Sequence, residues 1–176
     1  MNIVLIGMPG SGKSTVGVVL AKNLGFKFID SDIVIQDRYG KFLRELIEEL
    51  GEDGFLEIES DVNKSLKSDN TVIATGGSAV YKEDAMRSLK ENGIFVYLKV
   101  SNTELDSRVR DFKRRGVITN GKKTMQEIFD DRRRLYEKYA DIIIDENKYG
   151  RNAVSQTVDE IVSRIKIYSG DAGFEL

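Results

Sequence analysis

The segment from Gly7 to Thr15, GMPGSGKST, combines glycines, a lysine and two hydroxyls at a spacing suited to binding phosphate. Gly7 to Ser14 fits G-x-x-x-x-G-K-[ST], in which the N–H groups of a glycine-rich turn surround phosphate oxygens. The lysine of this pattern reaches the β- and γ-phosphates, and the following hydroxyl can ligate Mg²⁺. An apolar run precedes the segment and a helical pattern follows it, as the motif requires. We therefore predict nucleotide contacts from Gly10, Ser11, Gly12, Lys13, Ser14 and Thr15.

Two carboxylates, Asp30 and Asp32, end the second apolar run, FIDSD at residues 28–32. Beside a phosphate loop, one can hold Mg²⁺ while the other faces the hydroxyl that attacks the phosphate. The alternative is that Asp32 only caps the following helix and Asp30 is a solvated loop residue. The neighbouring phosphate loop favours the first interpretation.

The composition restricts the remaining chemistry. The chain of 176 residues has no cysteine and no histidine, which excludes disulfides, thiolate metal sites and histidine general bases. Its formal charge is −2, from 27 basic and 29 acidic residues, so we expect neither nucleic acid nor a membrane as partner. The short apolar start lacks the features of a signal peptide, and we expect a cytoplasmic protein, most simply a monomer.

The elements that must position these residues alternate along the chain. Strands are predicted at residues 2–6, 26–29, 71–75, 94–99 and 142–144. Helices are predicted at 13–24, 32–39, 41–50, 54–67, 83–91, 103–112, 124–139 and 152–168. This order predicts an α/β fold with a five-stranded parallel sheet covered on both faces, whose ligands lie beyond the carboxyl ends of the strands. We expect one domain at 1–168 and a flexible tail at 169–176.

Further motifs follow in a defined order and carry a family resemblance. They are the D-x-D at 30–32, Gly-Glu-x-x-Phe at 51–55 with Glu59 behind it, T-G-G at 75–77, and R-x-x-L-Y at 132–136. With the phosphate loop they resemble the shikimate kinase family, within the nucleoside-monophosphate-kinase-like P-loop kinases, over about residues 1–167. The resemblance implies a three-layer α/β/α P-loop kinase fold. Its substrate-binding helices would span about 32–67, and a mobile lid about 113–123.

The same resemblance implies a reaction and assigns residues to it. The reaction is transfer of the γ-phosphate of ATP, with Mg²⁺, to the 3-hydroxyl of shikimate in aromatic amino-acid biosynthesis. Asp30 would join Ser14 at the metal and Asp32 would orient the accepting hydroxyl. The substrate would lie against Gly76 and Gly77, with its carboxylate on Arg132.

Three further arginines follow from the resemblance. Arg115, in the lid, would reach the transferring phosphate and act in catalysis with Lys13 and Asp32. Arg108 would pack against adenine, and Arg151 would lie near the adenine loop. The basic, glycine-broken segment 113–123 has little to bury, which supports a lid independently.

The chain departs from the family motif where the acceptor should bind. Leu56 stands where an arginine normally pairs with the substrate carboxylate and is held by the nearby glutamate, here Glu59. The third glycine of the T-G-G segment is Ser78, and the lid's Arg-Pro-Leu is Arg115-Gly116-Val117. Losing one charged partner of a buried carboxylate costs about 2–5 kcal/mol. It stays open from the sequence whether Arg44 compensates.

Two alternatives therefore remain beside shikimate phosphorylation. The same chemistry could act on another polyol, sugar acid or nucleotide, which Leu56 favours. A nucleotide-binding regulatory protein without transferase activity is the other. It has no need of an acceptor aspartate such as Asp32 or a lid arginine such as Arg115.

Overall fold

The computed structural model describes residues 1–101, 105, 117–122, 124–148 and 154–172. Almost all of the predicted helix 103–112 and residues 113–116 and 123 of the predicted lid lie outside the described residues. So do Arg108, Arg115 and Arg151, which therefore remain sequence predictions.

The described elements alternate between strand and helix, as predicted. The strands are β1 (Asn2–Ile6), β2 (Lys27–Asp30), β3 (Thr71–Ala74), β4 (Gly93–Lys99) and β5 (Ile142–Asp145). The helices are α1 (Lys13–Leu24), α2 (Ser31–Tyr39), α3 (Leu43–Ser65), α4 (Glu83–Lys90), α5 (Met125–Tyr139) and α6 (Val154–Ala172). Short 3₁₀ helices occupy Ala79–Tyr81 and Glu146–Lys148.

The five strands form one parallel sheet in the order β2-β3-β1-β4-β5, which confirms the predicted α/β fold. Strand β1 lies at the centre, where Val4 pairs with Ile73 on one side and Phe95 on the other. All five residues of β1 are buried, as expected for a strand covered on both faces. The phosphate loop directly follows β1, and it therefore begins at the central, fully buried strand of the sheet.

Helices cover both faces of this sheet and make three layers. One face packs on α1 and α6 through residues such as Leu20 and Ile161. The other packs on α4 and α5 through residues such as Met86 and Ile128. No helix among the described residues is long and apolar enough to cross a membrane.

A third apolar cluster lies outside the sheet and joins α2 to α3. Its buried members are Ile35, Leu46, Phe55, Leu56, Val62 and Ile118. Ile118 belongs to the far end of the predicted lid, so this cluster also fixes where the chain returns from that segment. The walls of the cleft above the sheet are therefore held by apolar packing.

The structure corrects three predicted boundaries. Asp30, not Asp32, caps α2, and its Oδ1 accepts a hydrogen bond from the Asp32 N–H at 3.0 Å. The helices predicted at 41–50 and 54–67 follow each other without a gap within α3, and Gly51 (φ 73°, ψ 173°) separates them, as predicted, in a non-helical conformation available to glycine. The last helix ends at Ala172, four residues beyond the predicted Tyr168, which is itself the last of its described residues that packs against the apolar core.

The start of β4 gives a direct test of this packing. A Cβ on Gly93 would lie 2.5 Å from the backbone oxygen of Leu89 and 3.0 Å from Val4 Cγ2. We expect Gly93→Ala to lower the free energy of unfolding by about 1–3 kcal/mol in urea denaturation, because backbone atoms have to shift. The matched control is Gly170→Ala, where a Cβ meets nothing within 4 Å, and it should not be destabilising. Equal stability of the two variants would contradict this packing.

Candidate active site

The loop between β1 and α1 is closed by its own lysine. Lys13 is buried, and its Nζ donates to the carbonyl oxygens of Gly7 at 2.7 Å and Met8 at 2.9 Å. Gly10 (φ 83°) and Gly12 (φ 96°) take left-handed backbone conformations that turn the chain sharply into α1. The loop thus places an ammonium group and the positive end of a helix at one point, which suits a phosphate.

Ser14 and Asp30 meet beside this loop, although sixteen residues separate them in the sequence. The Ser14 hydroxyl donates to Asp30 Oδ2 at 2.6 Å, because α1 and the end of β2 lie at the same edge of the sheet. Hard oxygen donors of this kind suit Mg²⁺, which usually takes few protein ligands and completes its shell with phosphate and water. Among the described residues, no group of three or more His, Cys, Asp or Glu side chains is placed to hold a metal ion.

A cavity of about 360 Å³ opens next to the phosphate loop, above the carboxyl ends of β1 and β3. It brings most of the predicted nucleotide and acceptor residues together. Its described lining is Pro9, Gly10, Gly12, Lys13, Ser14, Thr15, Asp32, Leu43, Phe55, Glu59, Thr75, Gly76, Gly77, Ser78, Val117, Ile118 and Arg132. Ser11 is buried beneath the loop, where its backbone N–H donates to the Met8 carbonyl at 3.1 Å.

Two glycines form the floor of the cavity because charged side chains press against them. A Cβ on Gly76 would lie 2.1 Å from Glu59 Oε1 and 2.8 Å from Asp32 Oδ1. A Cβ on Gly77 would lie 2.9 Å from Arg132 Nη1. The sequence predicted that Gly76 and Gly77 line the substrate. The structure adds that a side chain at either position would displace the acidic or basic group next to it.

Arg132 is 1% exposed, yet it reaches the cavity wall. Its Nη2 donates to the Ile118 carbonyl at 2.6 Å, and its guanidinium lies 5.3 Å from the centre of the Tyr81 ring. The Tyr81 hydroxyl donates to Asp131 Oδ2 at 2.9 Å. A buried guanidinium held on several sides is prepared to bind a carboxylate. Tyr81 was missed by the sequence argument, since no motif marks it and only folding brings it to α5.

Glu59 is the most perturbed acid of the described site. It is 1% exposed, and its Oε2 accepts a hydrogen bond from the Ser78 hydroxyl at 2.8 Å. Burial, followed by the negative charge of Asp32, raises the pKa of Glu59 to about 8. Two carboxyl groups thus share the floor of the cavity, and the buried one favours its neutral form near pH 7.

Comparison with known proteins places this geometry in a family. The family model described as shikimate kinase matches residues 9–166. This chain belongs to the shikimate kinase family. As a member it is a phosphotransferase that acts on an alcohol group.

Individual members match over nearly their full length. A shikimate kinase from Clostridium botulinum strain Eklund 17B is 40% identical, over 94% of this chain and 94% of that protein. One from Persephonella marina is 36% identical, over 94% of this chain and 99% of its own. The solved structure of shikimate kinase from Acinetobacter baumannii in complex with shikimate has a TM-score of 0.83 at 30% identity, covering 95% of this chain and 93% of that one.

Leu56, the departure from the shikimate kinase motif, is not on the cavity wall. It is 6% exposed and packs with Ile35, Leu46 and Val62 in the apolar cluster between α2 and α3. Arg44 is exposed and does not line the described cavity. Neither position therefore supplies the cation that the family motif places at residue 56.

The described end of the predicted lid is attached to α3. Glu52 accepts hydrogen bonds from the Thr119 N–H, the Thr119 hydroxyl and the Asn120 N–H, each at 2.8 Å. Burial alone would raise the pKa of Glu52, but these hydrogen bonds outweigh it and lower the pKa. Val117 and Ile118 complete one wall of the cavity as a result.

The raised pKa of Glu59 predicts a pH-dependent stability. The pKa of its carboxyl rises from 4.5 to about 8 on folding, so the folded state holds this proton more tightly than the unfolded chain. Stability is therefore full below pH 4.5 and falls as the pH rises through 8. Glu59→Gln cannot ionise, so we expect its free energy of unfolding to rise relative to the unmodified chain across this range, by up to about 1.4 kcal/mol per pH unit.

Urea denaturation at a series of pH values measures this difference. Glu57→Gln, at an exposed position of the same helix, is the matched control and should show no comparable trend. A Glu59→Gln difference that stayed constant with pH would mean that Glu59 does not titrate in this way.

Proposed function

We propose that this chain transfers the γ-phosphate of ATP to the 3-hydroxyl of shikimate, in the pathway to the aromatic amino acids. The observation that carries the proposal is the single cavity that joins the phosphate loop to Asp32, Gly76, Gly77 and Arg132. In-line phosphate transfer requires that the donor and acceptor sites open into one space, so that the attacking hydroxyl can reach the γ-phosphate. Family membership and the related structure in complex with shikimate support the choice of acceptor.

In this proposal the loop and α1 hold the triphosphate. Backbone N–H groups around Gly10 and Gly12 bind its oxygens, and the Lys13 ammonium, already fixed over the loop, balances the β- and γ-phosphate charge. Bound Mg²⁺, held through Ser14 and Asp30, would neutralise further phosphate charge. Arg115 would stabilise the transferring phosphate, while Arg108 and Arg151 would contact adenine.

The acceptor side follows from the floor of the cavity. Asp32 accepts a hydrogen bond from the attacking hydroxyl and directs its lone pair at the phosphate. The Arg132 guanidinium, with N–H groups at the cavity wall, binds the shikimate carboxylate. ATP, ADP and this acceptor are the proposed partners; a monomeric state and a cytoplasmic location remain predictions of the sequence.

Leu56 supports a second candidate, a kinase of another hydroxylated acceptor. With an apolar side chain at this position, Arg132 is the guanidinium that lines the described acceptor wall. Phe55 and Leu43 add apolar surface to the same cavity. An acceptor without a carboxylate would lose less from the missing arginine than shikimate does.

An acceptor panel separates these candidates. We expect ADP release, measured with ATP and Mg²⁺ in a coupled assay, to be highest with shikimate among shikimate, gluconate, polyols and nucleosides. Faster turnover with another acceptor would establish the second candidate. Nucleotide binding without acceptor-dependent ADP release would instead favour the regulatory alternative.

Lys13 provides a test of the phosphate loop. We expect Lys13→Met to lower kcat by at least about 100-fold, since its ammonium stabilises charge that develops on the phosphate. Lys22→Met, at an exposed position in the last turn of the same helix, should retain full turnover. Circular dichroism would verify that both variants are folded. Retained turnover in folded Lys13→Met would overturn the assignment.

A further inference from the structure

Glu59 is a buried acid that needs a partner. Neither of its oxygens has an ion-pair partner among the described residues, and Oε1 has no hydrogen-bond partner among them. An unpaired buried carboxyl is costly, so whatever holds it matters for the wall that it forms. In the shikimate kinase motif an arginine at position 56 does this, but Leu56 packs into the apolar cluster instead.

The hydroxyl of Ser78 occupies the place of that partner. It donates to Glu59 Oε2 at 2.8 Å, and both residues line the cavity. Ser78 has φ −93° and ψ −9°, an ordinary right-handed conformation that accepts a side chain without strain. Gly76 and Gly77 differ, because a Cβ at either would collide with Glu59 or Arg132. Of these three consecutive residues, position 78 is thus the one able to carry a hydroxyl.

Glu59 in turn shapes the acceptor side of the cavity. Its Oε1 lies against Gly76 beside Asp32 Oδ1, while Gly77 lies against Arg132. A shift of the Glu59 carboxyl would therefore move the floor on which Asp32 and the acceptor meet. The phosphate loop has its own hydrogen bonds through Lys13, which do not involve Ser78 or Glu59.

We propose that Ser78 is a positioning residue of the acceptor site, which holds Glu59 in place of the arginine that Leu56 replaces. The expected effect of Ser78 on acceptor binding rests on the proposed function. The claim that Ser78 holds Glu59 does not. Ser78 acts through Glu59, and its effect should fall on acceptor binding and leave ATP binding unchanged.

Kinetics of three variants test the consequence. Leaving a buried acceptor without its hydrogen bond costs about 1–3 kcal/mol, so Ser78→Ala should raise the KM for shikimate by about fivefold or more, with the KM for ATP changed less than about twofold. Ser78→Thr keeps the hydroxyl and should restore the KM. Ser60→Ala is the matched control, because Ser60 is equally buried beside Glu59 but donates to Asp84, away from the cavity. It should leave both KM values unchanged.

A spectroscopic titration tests whether Ser78 holds Glu59, and it does not require enzyme activity. The ¹³C carboxyl signal of Glu59 reports its ionisation, and the hydroxyl of Ser78 lowers the pKa of this acid. The charged groups that face Glu59 are Asp32 of α2, Arg132 of α5 and Lys13 of α1, and Ser78→Ala alters none of them. We therefore expect a higher pKa in Ser78→Ala and no change in Ser60→Ala.

The outcomes distinguish the two proposals. If the unmodified chain does not phosphorylate shikimate, the proposed function fails, and the titration alone decides the role of Ser78. An unchanged Glu59 titration in folded Ser78→Ala overturns that role. So does a KM for shikimate that Ser78→Ala leaves unchanged, or equal loss in Ser78→Thr and Ser78→Ala.

A last experiment asks whether an arginine at position 56 can replace the Ser78 hydroxyl as the partner of Glu59. Leu56→Arg should lower the KM for shikimate more in Ser78→Ala than in the unmodified background, because either partner can then hold Glu59. If the effects of Leu56→Arg and Ser78→Ala on the KM for shikimate were strictly additive in folded variants, the two side chains would not be interchangeable partners of Glu59. If the arginine disrupts the apolar cluster and the variants fail to fold, the titration of Ser78→Ala decides.

Discussion

The structure depends on the close approach of charged side chains to the backbone of Gly76 and Gly77. Acidic groups press on the first glycine and the Arg132 guanidinium on the second, at distances that no side chain would allow. The Tyr136 hydroxyl and Ser31 Oγ fix the same two residues through the Gly77 carbonyl and the Gly76 N–H, at 2.7 and 3.1 Å. Helices α2, α3 and α5 are therefore positioned around one short segment at the end of β3.

This constraint links donor chemistry to acceptor chemistry. Strands β1, β2 and β3 are parallel neighbours, so the phosphate loop, the two aspartates and the glycine floor all leave the sheet at the same edge. Asp30 accepts a hydrogen bond from Ser14 beside the phosphate loop, while Asp32, two residues on, lines the cavity. The reaction proposed for this shikimate kinase family member needs two separate carboxylates, one for the metal ion and one for the attacking hydroxyl, and Asp30 and Asp32 would provide them.

Leu56 shows how a motif can lose a residue without losing its site. An arginine here would need Glu59 as its partner; the leucine contributes instead to the cluster that holds α2, α3 and Ile118. The buried acid keeps one hydrogen bond through Ser78, and burial, followed by the negative charge of Asp32, raises its pKa. In the proposed reaction, acceptor recognition would depend more on Arg132, which Tyr81 and Ile118 contact.

The sequence by itself determined the alternation of strands and helices and the phosphate loop, since both are local patterns of apolar spacing and glycine placement. It also predicted Asp30, Asp32, Gly76, Gly77 and Arg132 as site residues, because their motifs are contiguous. Only the tertiary structure decided that Tyr81 contacts Arg132 and that Ser78 donates a hydrogen bond to Glu59. These contacts join residues up to 51 positions apart, and their existence depends on how helices pack, which no local pattern encodes.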